Sequence, residues 1–212
     1  MTSGELELTD WRRRVAELYA QVRAAADPAQ AHAIWRTGRD ALFGEHPESP
    51  LPADDPLRES GLPCWPYDPR LRFTLFLGRP RADRRLELPT GADGTTTLRA
   101  VGSVELPRPV GGVVEVWWLE QYGGGLFLPL RDGSSGATSY GGGRYLLDTT
   151  KGADLGGTDE ELVVDLNFLY HPSCRYDDAW LCPLAPPENT IVGAVEAGER
   201  MPSASAPHAQ LS

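Results

Sequence analysis

Apolar residues recur at helical spacing near the start of the chain, where Trp11, Val15, Leu18 and Val22 stand three or four apart with arginine and glutamate between them. That period places them on one face and predicts an amphipathic helix, capped by Thr9 or Asp10 and running to about Ala26. Asp27-Pro28 reads as an N-cap followed by proline at the first helical position, where the missing N–H has no helical partner to lose. Ala31, Ile34, Trp35 and Leu42 give a second helix its apolar stripe, and Gly44 ends it. Trp11 and Trp35 are expected in the core, packed against a sheet.

From Glu45 to Pro69 proline and acidic residues break every period. Ser49-Pro50-Leu51-Pro52 and Cys64-Trp65-Pro66-Tyr67-Asp68-Pro69 predict an ordered loop or a lid. After Pro69 the period shortens to two. Leu71, Phe73, Leu75 and Leu77 alternate with Arg72, Thr74 and Phe76, which predicts a strand with one buried face. Further strands are predicted near 85–88, 95–106 with a bulge at Gly102, 113–119, 126–130, 144–147, 162–166 and 191–195. About eight short strands with hairpin-length connections and no helical pattern between them predict a mainly β fold. The expected architecture is an antiparallel β-barrel or sandwich with the two N-terminal α-helices packed across it. Residues 1–44 form the helical pair, 45–200 a β domain that makes one globular unit with it, and 201–212 a disordered tail rich in Ser, Ala and Pro.

Composition narrows the function classes. With 41% hydrophobic residues in 212, the chain can bury a real core, and no run approaches the roughly 18 apolar residues of a membrane span. Met1–Asp10 lacks the basic start and apolar run of a secretory signal, so a cytoplasmic location with reduced thiols is expected. The net charge of -10 repels a polyphosphate backbone, so nucleic acid is not an expected partner, and without an apolar span neither is a membrane. Arg79–Arg85 carries four arginines, but Pro80 and Asp83 interrupt them and the segment reads as a solvated hairpin turn. Lys151 is the only lysine and lies in a polar turn, so lysine-nucleophile chemistry would rest on it alone.

Two stretches carry candidate chemistry. Arg131–Tyr145 is a polar, glycine-rich loop whose backbone N–H groups could converge on an anion, with Arg144 adding a bidentate contact. A wide hairpin whose glycines merely permit positive φ is the competing reading. Neither a P-loop nor a dinucleotide-binding spacing is present, and no cofactor is expected. In Asp165–Asn189, Asp165 and Asn167 lie two apart on a strand and share a face. If that face lines a cavity, Asp165 is a desolvated general base; otherwise its oxygens hold turn amides. His171, Cys174 and Cys182 are the residues a metal would use, although their spacing matches no Cys-x2-Cys half-site. Two buried, inert thiols compete with that reading, and a Cys174–His171 nucleophile pair would need a depressed thiol pKa. No Gly-x-Ser-x-Gly elbow is present.

These stretches also carry a resemblance. Leu128–Asp132, Thr138–Leu146, Asp165-Leu166-Asn167, Tyr170–Tyr176, Cys182-Pro183-Leu184 and Pro186-Pro187-Glu188-Asn189 resemble motifs of a bacterial and archaeal family described as domain of unknown function 1684. Ser49-Pro50-Leu51, Gly61-Leu62-Pro63, Tyr67-Asp68-Pro69, Ser135-Gly136 and Ala197-Gly198-Glu199 extend the likeness, which spans roughly Arg39 to Glu199. It implies no established activity or catalytic residue. Some relatives look like exported lipoproteins, and the chain has no lipobox from which to carry that location over.

Taken together, the residues predict a small-molecule-binding or catalytic pocket where the 131–145 loop meets the 165–189 segment. Asp165 and Asp132 are its candidate catalytic residues. Thr138, Tyr140, Arg144, Asn167, Tyr170 and Glu188 are its candidate ligand contacts, with Arg144 holding an anionic group. The alternative is a non-enzymatic structural or protein-interaction module in which these residues brace long loops and Trp65, Trp117 or Trp118 offers a partner patch. Substrate, reaction class and oligomeric state are left open by the sequence.

Overall fold

A computed structural model describes residues 3–89 and 94–202, so the predicted tail beyond Pro202 lies outside the described residues. The two helices are α1, Ser3–Ala24, and α2, Pro28–Glu45. Asp27 caps α2 through its side chain, which accepts from the Ala29 N–H at 3.0 Å. The cap predicted for α1 is corrected. Thr9 Oγ1 donates back to the Glu5 carbonyl at 2.8 Å and Asp10 pairs with Arg14 at 2.7 Å, so both serve inside a helix that starts about two turns earlier.

The proline-rich connection is an ordered loop with one short helix, α3, Leu57–Ser60. Arg58 fixes it by donating to the carbonyls of Leu51, Pro52 and Gly44 at 2.7–2.9 Å.

Seven strands follow: β1 Arg72–Phe76, β2 Arg85–Pro89, β3 Thr95–Glu105, β4 Val113–Leu119, β5 Leu126–Leu130, β6 Arg144–Asp148 and β7 Glu161–Asp165. They form a two-stranded sheet, β1-β7, and a five-stranded sheet, β2-β3-β4-β5-β6, with every pairing antiparallel. The fold is mainly antiparallel β, and the described strands close no barrel.

The predicted bulge at Gly102 lies where β3 shifts register against β4, between Ala100 and Gly102. Before it, Leu98 and Ala100 share a face with Trp117 and Leu119; after it, Val104 joins Val114 and Val116 on the other. One strand thereby feeds two apolar clusters from the same alternating positions. A Cβ at Gly102 would collide with the Leu77 side chain and lie 2.8 Å from the Gly78 carbonyl, so glycine is required where β1's continuation crosses β3.

The larger core joins α1, α2, the small sheet and one face of the large sheet. Trp35 and Trp117 are fully buried, while Trp65 and Trp118 are partly exposed.

Two further expectations are corrected. Residues 191–195 form no strand: they run beside 131–133 with two backbone bonds, Ile191 N–H to the Arg131 carbonyl at 2.9 Å and Gly133 N–H to the Gly193 carbonyl at 3.1 Å, and at Val195 side chains take over, Asp132 Oδ1 accepting its N–H at 2.9 Å and Arg144 taking its carbonyl at 2.8 Å. Arg79–Arg85 is exposed to solvent as expected, but it is no hairpin. It crosses from the small sheet to the large one, and three of its four arginines are paired: Arg81 with Glu115 at 2.8 Å, Arg84 with Glu188 and Arg85 with Glu120 at 3.2 Å.

Candidate functional site

The glycine loop is organised by a buried ion pair. Gly143, at φ +90° and 2.7 Å from the Leu130 carbonyl at its would-be Cβ, turns the chain into β6 so that Arg144 points inward. Both Arg144 and Asp132 have side chains with 0% exposure, and they meet at 2.9 Å. Arg144 also donates to the carbonyls of Val195 at 2.8 Å, Glu199 at 2.9 Å and Ala197. All four terminal N–H groups are thus engaged by protein, and the half-buried Trp65 ring lies 5.3 Å from the guanidinium. Burial would raise the Asp132 carboxyl, but Arg144 and the N–H groups of Val195 and Ser134 outweigh it and hold it below the usual range. Thr138 is exposed, and its carbonyl accepts from the Met201 N–H at 2.8 Å.

Asp165 and Asn167 form a second cluster. The strand ends at Asp165, which caps a 3-10 turn over Leu166–Phe168, so Asn167 lies in the turn rather than on the strand. Asp165 Oδ1 accepts both N–H groups of Asn167 at 2.8 and 3.1 Å; Oδ2 accepts from Tyr67 at 3.4 Å and Arg72 at 3.2 Å. Asn167 in turn clamps Asp68, accepting its N–H at 2.8 Å and donating to its carbonyl at 2.9 Å. Burial raises the Asp165 carboxyl against the pull of Asn167 and Arg72. The neighbouring concavity is lined by Tyr67 and Arg72, not by Asp165. Glu188 belongs to neither cluster; it meets Arg84 at the start of β2.

The third cluster lines a cleft between α1, α2 and the end of β6. The stripe of α2 that faces the core includes Trp35, Leu42 and Phe43, and Arg39 stands among them. Its guanidinium lies 4.7 Å from the Phe43 ring and 4.8 Å from Tyr170, and Nε donates to Glu199 Oε1 at 2.6 Å. Burial would lower the Arg39 pKa, but Glu199 reverses the direction. Glu199 Oε2 accepts from the His171 N–H at 2.7 Å and the Tyr176 hydroxyl at 3.2 Å.

The cleft encloses about 80 Å³ and is lined by Tyr19, Arg39, Asp148, Tyr170, His171 and Cys182 among others. Tyr19 accepts from Trp35 Nε1 at 3.1 Å, and burial pushes its phenol up to about 12. Asp148 is 4% exposed; burial raises its carboxyl, with Lys151, 3.9 Å away at the mouth, acting in the opposite sense. Arg39 Nη2 and Asp148 Oδ1 are both buried with no hydrogen-bond partner among the described residues. A larger concavity of about 560 Å³ runs along the outer face of α1 and α2, but it is an open groove without a buried charge.

Beside the cleft, the Tyr140 hydroxyl lies 3.9 Å from Cys174 Sγ, and the Cys174 N–H donates to Cys182 Sγ at 3.4 Å. His171 Nε2 accepts from the Tyr140 N–H at 3.2 Å. Its Nδ1 is 3.8 Å from Glu199, but this is no ion pair: burial, with Arg144, Arg175 and Arg39 nearby, keeps the imidazole neutral. The three residues a metal would use therefore do not converge, and no group of three or more His, Cys, Asp or Glu among the described residues is arranged to hold a metal.

Of the residues picked out by sequence, Tyr170, His171 and Cys182 meet at the cleft, and Tyr140 and Cys174 stand behind it. Asp132 with Arg144, and Asp165 with Asn167, lie in the two other clusters. Sequence reasoning missed Tyr19, Arg39 and Asp148, and it placed Glu199 in a motif without a role at the site. The available signal was an arginine four residues after Trp35 and four before Phe43, a charge set into an apolar stripe.

Comparison with curated proteins returns no match. Among solved structures, the chain is similar to the solution NMR structure of an uncharacterized protein from Haloarcula marismortui, at 32% identity over 78% of this chain and 90% of that one, with a TM-score of 0.55. A family signature described as a protein of unknown function, DUF1684, matches residues 60–200, more than half of the chain. The chain belongs to the DUF1684 family.

Proposed function

We propose that this protein binds a small polar molecule whose head group enters the cleft between Arg39 and Asp148. The observation that carries this reading is the pair of buried, oppositely charged side chains lining one cleft, each with a polar atom lacking a protein partner. Such an atom costs about 1–3 kcal/mol when left unmade, and two of them at one cleft are best understood as contacts reserved for a ligand. The head group must accept from Arg39 and donate to Asp148, as a hydroxyl, a primary amide or a carboxylic acid does. A volume of about 80 Å³ takes only the head group, so the remainder projects past Lys151 at the mouth. The two sheets and the helix pair are read as a sandwich-type scaffold, and the cytoplasm as the compartment that suits three free thiols.

The test is an NMR titration of the labelled protein with glycolate, acetamide and glycerol. Saturable shifts are expected at Asp148 and Tyr170, and these disappear in Arg39→Met and Asp148→Asn. Shifts confined to the outer groove of α1 and α2, or unchanged in both variants, would overturn the reading.

A second reading has its own observation. The complete engagement of the Arg144 terminal N–H groups supports a bracing role for the glycine-loop motif, in which Arg144 holds the 195–199 segment and contacts no ligand.

A further inference from the structure

We propose that Cys174 and Cys182 form a reversible dithiol–disulfide couple, in which Cys182 reacts first with a hydroperoxide and Cys174 resolves the product. The argument starts from placement. The Cys174 N–H donates to Cys182 Sγ at 3.4 Å, which sets the two residues side by side. Cys182 lines the cleft, so a small oxidant can reach it, and both residues are partly exposed. The seven residues between them pass through Asp177–Leu181, which are exposed. Closing the sulfurs to the roughly 2 Å of a disulfide therefore moves surface chain and leaves the core in place.

The same contacts explain which sulfur attacks. Donation from the Cys174 thiol, resisted by burial and assisted by the N–H groups of Cys174 and Ser173 and by Lys151, brings Cys182 down to about 6. Cys174, as the donor, is pushed up. Cys64 lies elsewhere, and burial pushes it up to about 12.

The chemistry balances without a metal or cofactor. Cys182 thiolate attacks one oxygen of the hydroperoxide; an S–O bond forms, the O–O bond breaks, and the leaving oxygen departs as hydroxide or alkoxide and takes up a proton. Cys174 sulfur then attacks the sulfenic sulfur of Cys182. The S–S bond forms, the S–O bond breaks, and the released hydroxide leaves as water with the proton of Cys174. Two electrons pass from the thiol pair to the peroxide.

The full chain, reduced and freed of reductant, is treated with stoichiometric hydrogen peroxide and read by intact mass and tryptic mapping. The expected product has lost two hydrogens per chain, and its peptides 152–175 and 176–200 are joined until dithiothreitol separates them. In Cys174→Ser, dimedone is expected to label Cys182. Alkylation of Cys182 in the untreated protein should plateau just above pH 6 and, at pH 7, exceed that of Cys64 by on the order of a hundredfold, since thiolate fraction outweighs lost nucleophilicity. Links through Cys64, links between chains, dimedone on Cys174 of Cys182→Ser at the same rate, or peroxide that leaves all three thiols titratable would each overturn the proposal.

Discussion

Replacing Arg144 by methionine separates a brace from a ligand contact, because the two roles predict opposite outcomes in stability. Methionine keeps much of the buried stem but removes the charge from a site where the Asp132 side chain is wholly inaccessible. Breaking a buried pair by removing one partner costs about 3–5 kcal/mol, against a total stability of roughly 5–15 kcal/mol for a domain. The carbonyls of Val195, Ala197 and Glu199 also lose their donor, which adds to the loss wherever water cannot replace it. One contribution runs the other way. Burial lowers the Arg144 pKa despite Asp132, and its Nε has no partner, so removing the cation also relieves a desolvation penalty. The lower end, about 3 kcal/mol, is the expected loss, read from urea unfolding followed by circular dichroism.

The pH trend makes the test sharper. With Arg144 present, the Asp132 carboxyl is held below its ordinary value of 3.8, so its stabilisation is complete above that pH and is lost as pH falls further. Without Arg144, burial dominates and raises the carboxyl, so the folded state prefers the protonated form and stability declines as pH rises above 3.8. Arg144→Met should therefore be more stable near pH 4 than at pH 7. Adding Asp132→Leu should restore part of the loss and remove the reversal. A variant within about 1 kcal/mol of the parent, with an unaltered pH trend, would refute the buried-pair reasoning.

Asp148→Asn is expected to stabilise the protein by about 1 kcal/mol at pH 7 while abolishing cleft binding. Its raised carboxyl makes the parent lose stability as pH rises from 3.8, so the advantage should vanish in denaturant unfolding below that pH. Gly102→Ala should lose about 1–3 kcal/mol, read as a lower melting temperature, because the Gly78 carbonyl 2.8 Å away cannot yield as a side chain can. Gly141→Ala, whose nearest neighbour is 3.7 Å away, should leave the melting temperature within error of the parent. Asp165→Asn should lose about 1–3 kcal/mol in the same assay, because an amide group would turn a donor toward Asn167 or toward Tyr67 and Arg72; an undiminished melting temperature would show that these bonds are not needed.

The seven strands were legible because their alternation is local: β4 and β5 have the predicted bounds, and the Gly102 bulge lies where a glycine interrupts a long alternating run. What misled was any segment whose partners are side chains. Residues 191–195 have strand-like composition, yet after two backbone bonds to 131–133 the ladder stops at Val195, whose N–H and carbonyl are taken by Asp132 and Arg144, a tertiary fact that no period encodes. Asp165 and Asn167 lie on a face only while the strand lasts; the aspartate's own capping bond ends it. The exposed Arg79–Arg85 segment read as a hairpin because Glu115, Glu120 and Glu188, which pair with its arginines as it crosses between the sheets, are distant in sequence. The site was half legible. Tyr170, His171 and Cys182 stand in a motif, whereas Asp148 reads as an ordinary strand end and Arg39 as an ordinary helical surface residue until the stripe around it is counted.

Bracing and binding are not rival descriptions of separate places, because Glu199 belongs to both. Its carbonyl accepts from Arg144 at 2.9 Å, and its carboxylate receives Arg39 at 2.6 Å and the His171 N–H at 2.7 Å. Arg39 comes from α2, outside residues 60–200, whereas Glu199, Tyr170 and Asp148 come from within them. The cleft therefore exists only where the helix pair is docked on the β unit, and one ion pair sets the position of its charge. A residue that is 1% exposed cannot shift its backbone without carrying its carboxylate along. Loosening the Arg144 brace should accordingly displace Arg39; both terminal nitrogens of Arg144 are taken by protein, whereas Arg39, which lines the cleft, keeps a terminal nitrogen to spare.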